Sequence, residues 1–180
     1  REHFVFFFCI QILAANMFKS VSLVLCLLGI AAAQLPDYSC TGATNCASAT
    51  GYDRGDVMGC LYFCHLDAND DDKLTRGEYD SAYQNCAGTA DNCEEATFEA
   101  IIMSVLPICA SEADGMFREM SAKDGDSSTF VIGDVDVMWN ECLEAQNEPG
   151  GEFVVTTGFR SVWLDSWDRI EDPTCTEPYP

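Results

Sequence analysis

The chain has 180 residues, with 30 Asp and Glu against 9 Lys and Arg and a formal net charge of −21. A field of that sign repels nucleic acid and anionic membranes and attracts divalent cations or basic surfaces. Apolar residues make up 48% of the chain and lie dispersed among the acids, so a core can form and a disordered acidic tail is excluded.

Residues 1–16 contain no initiating Met and are rich in Phe, and they read as an upstream extension outside the fold. Residues 17–33 read as a secretory signal peptide. Met17, Phe18 and Lys19 give a short basic start, Val21 to Ile30 an apolar run, and Ala31, Ala32 and Ala33 a small-residue cleavage site. The mature chain is expected to begin at Gln34 or Leu35. A single membrane span over Phe4 to Ala33 is disfavoured, because Gln11, Asn16 and Lys19 interrupt it and the apolar run is short for a bilayer. Without Arg1, Lys19 and Glu2 the remainder carries 7 basic and 29 acidic residues, a net charge of −22.

Nine Cys remain past the signal: Cys40, Cys46, Cys60, Cys64, Cys86, Cys93, Cys109, Cys142 and Cys175. In an exported chain this density means disulfides, and the odd number means one free thiol or a disulfide-linked dimer. Cys60 and Cys64 share a helix face and are expected to staple that helix to different neighbours, with Cys86 a partner for one of them. A zinc site on Cys60, Cys64 and His65 lacks a second ligand pair at the right spacing.

In chain order, residues 34–55 read as an irregular Cys-containing arm. A helical domain follows over residues 56–172, and residues 173–180 form a proline-containing tail held by Cys175. Within the domain, Val57, Leu61, Phe63 and Leu66 recur at near-helical spacing. The next twelve residues, 67–78, place oxygen donors at positions one, three, five, nine and twelve. Asp67, Asn69 and Asp71 offer side-chain oxygens, Lys73 a backbone carbonyl, Thr75 a water-mediated contact and Glu78 a bidentate carboxylate. That donor pattern suits one Ca2+ ion, which takes six to eight oxygens at about 2.3–2.6 Å. Leu74 is the apolar residue expected to turn inward and pair with a partner loop. Thr75 and Glu78 form a capping pattern for a helix through Tyr79, Ala82 and Tyr83.

This segment resembles the EF-hand family, with a first hand over residues 56–86. It departs from the family at position six, where Asp72 replaces the usual Gly. A positive φ is needed there, which Asp tolerates at a cost of about 1 kcal/mol, so weakened binding is expected.

Asp91 and Glu94 suggest a second capping pattern, opening a helix with Phe98, Ile101, Ile102 and Val105 on one face and ending at Pro107. A further helix is expected over residues 108–120, weakened by Gly115. Residues 113–145 resemble a degenerate second hand. Phe117 stands before its loop, Phe130 or Val131 takes the inward position, and Val137, Met138 and Leu143 lie on its exit helix. Its ligand register fails by one residue, so that a deletion is needed before Asp124, Asp126, Ser128 and Asp134 can surround an ion. A structural partner loop, pairing back to back with the first, is the better reading. Residues 153–159 repeat the apolar-Thr-x-Gly order of Leu74 to Gly77 with almost no ligand oxygens, and read as a strand or loop leading into a helix with Val162, Trp163 and Trp167. The fold expected is mainly α: an EF-hand pair, one regular and one degenerate, in a disulfide-rich secreted helical domain.

His65 is the one His past the signal. A calcium-using secreted phospholipase carries a His followed directly by Asp on a Cys-rich helix. Leu66 separates His65 from Asp67 here, turning the carboxylate about 100° away, so no enzyme is expected. Acidity, cysteines and one good hand beside a degenerate one resemble the EF-hand proteins of molluscan shell matrix. That resemblance implies a secreted calcium-binding component of extracellular or shell matrix. Its partners would be calcium ions and mineral surface or basic matrix proteins, with no nucleic acid and no membrane after signal removal. The alternative is a secreted calcium-dependent binding module or ligand.

Overall fold

The chain divides into a unit over Arg1–Gln34 and one over Leu35–Pro180. A computed structural model describes residues 38–40, 46, 53–84, 86, 92–125, 128–147 and 151–176, all in the second unit. The upstream-extension and signal-peptide readings lie outside the described residues. Among the described residues, six helices and four short strands run in the order α1 (Arg54–Leu66), β1 (Lys73–Thr75), α2 (Arg76–Gln84), β2 (Asn92–Cys93), α3 (Glu95–Val105), α4 (Ala110–Ser121), β3 (Phe130–Val131), α5 (Ile132–Ala145), β4 (Phe153–Val155) and α6 (Thr156–Ile170). Mainly helical architecture is therefore as the periodicity predicts.

Helix α1 starts where Asp53, in extended backbone, accepts the Asp56 N–H on Oδ1 at 2.9 Å. A side-chain cap of this kind contributes about 1 kcal/mol. The buried face of α1 includes Val57, Phe63 and Leu66, and it meets α6 through aromatic rings. Tyr62 lies 5.3 Å from Trp163, Phe63 lies 5.2 Å from Phe159, and Tyr38 of the arm closes over Phe63 at 6.1 Å. Gly59 permits this approach, since a Cβ there would fall 2.5 Å from both Tyr38 Oη and Trp163 Cδ1. Gly115, which the sequence suggests merely weakens α4, has a similar use: its Cβ would sit 3.2 Å from Ile170 Cβ, where α4 crosses α6. A second ring cluster joins α2, β3, α3 and α4, with Tyr83 to Phe130 at 4.7 Å, Phe98 to Phe130 at 5.3 Å, and Phe98 to Phe117 at 5.5 Å.

Two antiparallel ladders organise the loops. β1 pairs with β4, setting Leu74 opposite Val154, and β2 pairs with β3, setting Cys93 opposite Phe130. The back-to-back pairing of the two loops read from sequence is thus corrected. The first loop pairs with the strand before α6, while the degenerate loop pairs with the strand before α3. The sequence echo at residues 153–159 marks the true partner of Leu74, and both Leu74 and Val154 are buried.

Four disulfides, Cys40–Cys64, Cys46–Cys60, Cys86–Cys93 and Cys109–Cys175, fit an oxidising compartment. Cys60 and Cys64 do tie α1 to separate points, both on the preceding arm. Cys86 instead closes the short connection to β2, because its Cα stands 5.1 Å from that of Cys93. Among the described residues Cys142 is the free thiol, 2% exposed on α5, and burial pushes its pKa up to about 12. A thiol so buried offers nothing to a second chain. Glu94 caps α3 from the residue before its first turn and makes no side-chain cap bond, so the helix starts later than a box from Asp91 would place it.

Candidate metal centre

Residues 67–78 leave α1 through Asp67, whose N–H still donates to Phe63 O at 2.9 Å. The chain then turns on its own side chains. Asp71 N donates to Asn69 Oδ1 at 2.9 Å, Lys73 N to Asp71 Oδ1 at 3.0 Å, and Asp72 N to Asp67 Oδ2 at 2.8 Å. Such short polar side chains substitute for a backbone turn, which is why a run of Asn and Asp folds into a loop here. Two residues take positive φ, Asp70 at 57° and Asp72 at 60°. The strained geometry expected at position six is present, occupied by Asp.

Asp67 is 2% exposed, while Asn69 and Asp71 face solvent and Glu78 is half-buried. Burial raises the Asp67 pKa above its ordinary value; the N–H groups of Asp72 and Asp71 oppose this, and the charges of Asp71 and Glu78 add to it. An acid held beside two others is a place where a divalent cation would relieve repulsion. At the far end, Glu78 Oε2 accepts from Thr75 N at 2.9 Å and Thr75 Oγ1 at 2.8 Å, and Thr75 Oγ1 accepts from Glu78 N at 3.2 Å. The reciprocal cap read from the sequence therefore forms, and it anchors Glu78 at the start of α2. Positions one, three, five and twelve each offer a side-chain oxygen, and Lys73 continues into β1 with its side chain over the Phe153 ring at 5.0 Å. This donor set fits a hard cation such as Ca2+.

Asp72 has a role that spacing alone conceals. Its Oδ1 accepts the Cys40 N–H at 2.8 Å, joining the loop to the arm next to the Cys40–Cys64 disulfide. Asp67, Asp72 and Cys40 Sγ come within 4.8 Å of one another, but the sulfur is already in a disulfide and serves as no ligand. Asp72→Gly should therefore relieve backbone strain while orphaning Cys40 N, two effects of about 1 kcal/mol each that nearly cancel. Asp72→Ala keeps the strain and loses the bond, and should cost about 1 kcal/mol. Urea denaturation that ranked the Ala variant at or above the Gly variant would contradict this account.

The other three loops close by other means. In the degenerate loop, Asp134 is fully buried and accepts from Asp124 N and Val131 N, both at 2.9 Å, so its oxygens already serve backbone donors. Asp126 lies outside the described residues, Ser128 is exposed, and Lys123 pairs with Glu141 at 2.8 Å. The connection before β2 is closed by Cys86–Cys93. Before β4, the Gln146 amide donates to Phe153 O at 3.0 Å and accepts from Val155 N at 2.8 Å. No local spacing announces Gln146, because the backbone groups it satisfies become visible only once β4 is placed.

His65 stands exposed in the last turn of α1, with burial lowering its pKa somewhat, and Cys60 and Cys64 beside it are consumed by disulfides. No protein-family model, curated protein or solved structure matches the chain.

Proposed function

We propose that the chain is a secreted EF-hand-like protein whose single ion-binding loop takes Ca2+ through Asp67, Asn69, Asp71, the Lys73 carbonyl and Glu78, with Thr75 acting through water. The observation that carries the reading is the loop's donor order combined with positive φ at Asp72 in position six. Asp67 belongs to the end of α1 and Glu78 to the start of α2, so shared ligation would fix the angle between those helices. Extracellular sites of this type bind with Kd of about 10⁻⁴–10⁻³ M, near the free calcium outside cells, which favours standing structural occupancy. The charge of −21 supports a place in extracellular or shell matrix, against mineral surface or basic proteins. No catalytic role is proposed. The second reading, a calcium-dependent binding module, draws support from Met116, Met120 and Met138 gathered round one apolar cleft.

Glu78→Gln removes the bidentate carboxylate and should weaken calcium binding at least about tenfold by calorimetry. Wild-type protein with calcium at about ten times Kd should gain about 1.4 kcal/mol, and EDTA should lower its Tm by about 3–5 °C. Equal calorimetric binding by wild type and variant would place the site elsewhere.

A further inference from the structure

Of the four disulfides among the described residues, two tie the arm to α1, and one of these stands at the entrance to the loop over residues 67–78. Cys64 lies in the last turn of α1, three residues before Asp67, and its partner Cys40 donates its backbone N–H to Asp72 Oδ1 at 2.8 Å. Asp72 N in turn donates to Asp67 Oδ2 at 2.8 Å. One covalent bond and two hydrogen bonds thus close a circuit from Cys64 through Cys40, Asp72 and Asp67 back to α1.

Asp72 is the strained member of that circuit. Its φ of 60° is a conformation that residues other than Gly hold only at a cost, and it stands between Asp71 and Lys73, two of the ligand positions. Relaxation of Asp72 to negative φ would swing those two donors apart. The Cys40 N–H is outside the ligand set, so it can hold Asp72 with or without an ion. Within the loop the charges of Asp71 and Glu78 act against that of Asp67, which favours opening when no cation is bound.

We propose that the Cys40–Cys64 disulfide and Ca2+ are linked at this loop: the disulfide presets position six and so tightens calcium binding, and bound calcium shields the disulfide from reduction. The inference rests on the calcium reading and adds its regulation. Linkage is reciprocal, so the disulfide tightens calcium by the same factor by which calcium stabilises the disulfide at equilibrium. The link is broken by thiol–disulfide exchange with a dithiol. Its thiolate attacks Cys64 Sγ, because Cys64 is half-buried whereas Cys40 is 4% exposed, and Cys40 leaves as a thiolate that takes up a proton. The second thiol of the reductant then displaces Cys64. The protein gains two electrons and two protons, and the reductant closes as a disulfide.

The test compares, by calorimetry, calcium binding to the full oxidised chain and to Cys40→Ser with Cys64→Ser. If about four loops in five relax without the clamp, the apparent Kd rises about fivefold. Asp72→Asn keeps the acceptor and tolerates the same φ, so the factor should persist in it. In Asp72→Ala, loss of the disulfide should change Kd by less than about twofold, because the contact that carries the linkage is already gone. A second measurement needs no variant, and decides the matter if the double Ser protein does not fold. Wild-type protein is exposed to dithiothreitol in EDTA or in saturating calcium, quenched by alkylation and mapped by mass spectrometry. Calcium should slow reduction of Cys40–Cys64 about fivefold, while Cys109–Cys175, whose residues are also half-buried, is reduced at one rate. Equal Kd with and without the disulfide, or calcium protection shared equally by both disulfides, overturns the linkage and leaves the calcium reading standing. Absence of calcium binding by the oxidised wild type overturns both.

Discussion

Replacing Glu112 by Ala should lower the unfolding free energy by about 3–5 kcal/mol, the range for removing one partner of a buried ion pair. Glu112 is fully buried and holds three separate parts of the fold. It accepts from both terminal nitrogens of Arg54 at the start of α1, from Cys109 N at 3.0 Å before α4, and from Asp172 N at 3.3 Å after α6. Without it the Arg54 guanidinium, only 14% exposed and stacked 5.4 Å from the Trp167 ring, keeps its charge in a site that has lost the balancing carboxylate. Glu112→Gln retains shape and acceptor and should cost distinctly less. A urea-melt difference below about 1 kcal/mol for the Ala variant would show that the pair contributes little beyond what water supplies.

Phe63→Ala should be nearly as severe, at about 3–5 kcal/mol, through lost burial plus the cavity left behind. Phe63 is completely buried between Tyr38 and Phe159, four residues before Asp67. For a domain of this size the loss corresponds to a Tm fall of about 8–15 °C in a calcium-free scan. Met103→Ala, at a side chain 45% exposed, should stay within about 0.5 kcal/mol and serves as the contrast. If both substitutions moved Tm equally, the packing between α1 and α6 would not be the chief support of the first loop.

Helix positions were legible because their signal is local. Phe98, Ile102 and Val105 predict α3, and Met138 and Leu143 predict α5, without knowledge of what covers them. The loop over residues 67–78 was legible for the same reason, down to the positive φ at Asp72. Partner choice was not. Leu74 reads as an inward residue needing a ladder, yet nothing local distinguishes Val154 from Val131 as the residue opposite it. The pairing expected of Cys86 with α1 fails because Cys86 pairs locally with Cys93, a sequence separation of 7, while Cys142 is enclosed by the helices. Asp72 and Asp134 show a third kind of limit. Each looks like a displaced or surplus acid in the sequence, and each proves to be the acceptor for a backbone N–H that no spacing rule could foresee.

The crossed ladders bear on how the protein must be made. β1 waits for β4, some eighty residues downstream, and β2 waits for β3, so neither the stretch up to α3 nor the stretch from α4 onward contains its own pairing partners. Contacts so distant along the chain slow folding, because loop-closure entropy is lost before they form. A nascent chain of which only the first half has emerged would present Leu74 and the ring face of α1 uncovered. Assembly is therefore post-translational in character, with the disulfides of the arm holding α1 ready until the last helix arrives.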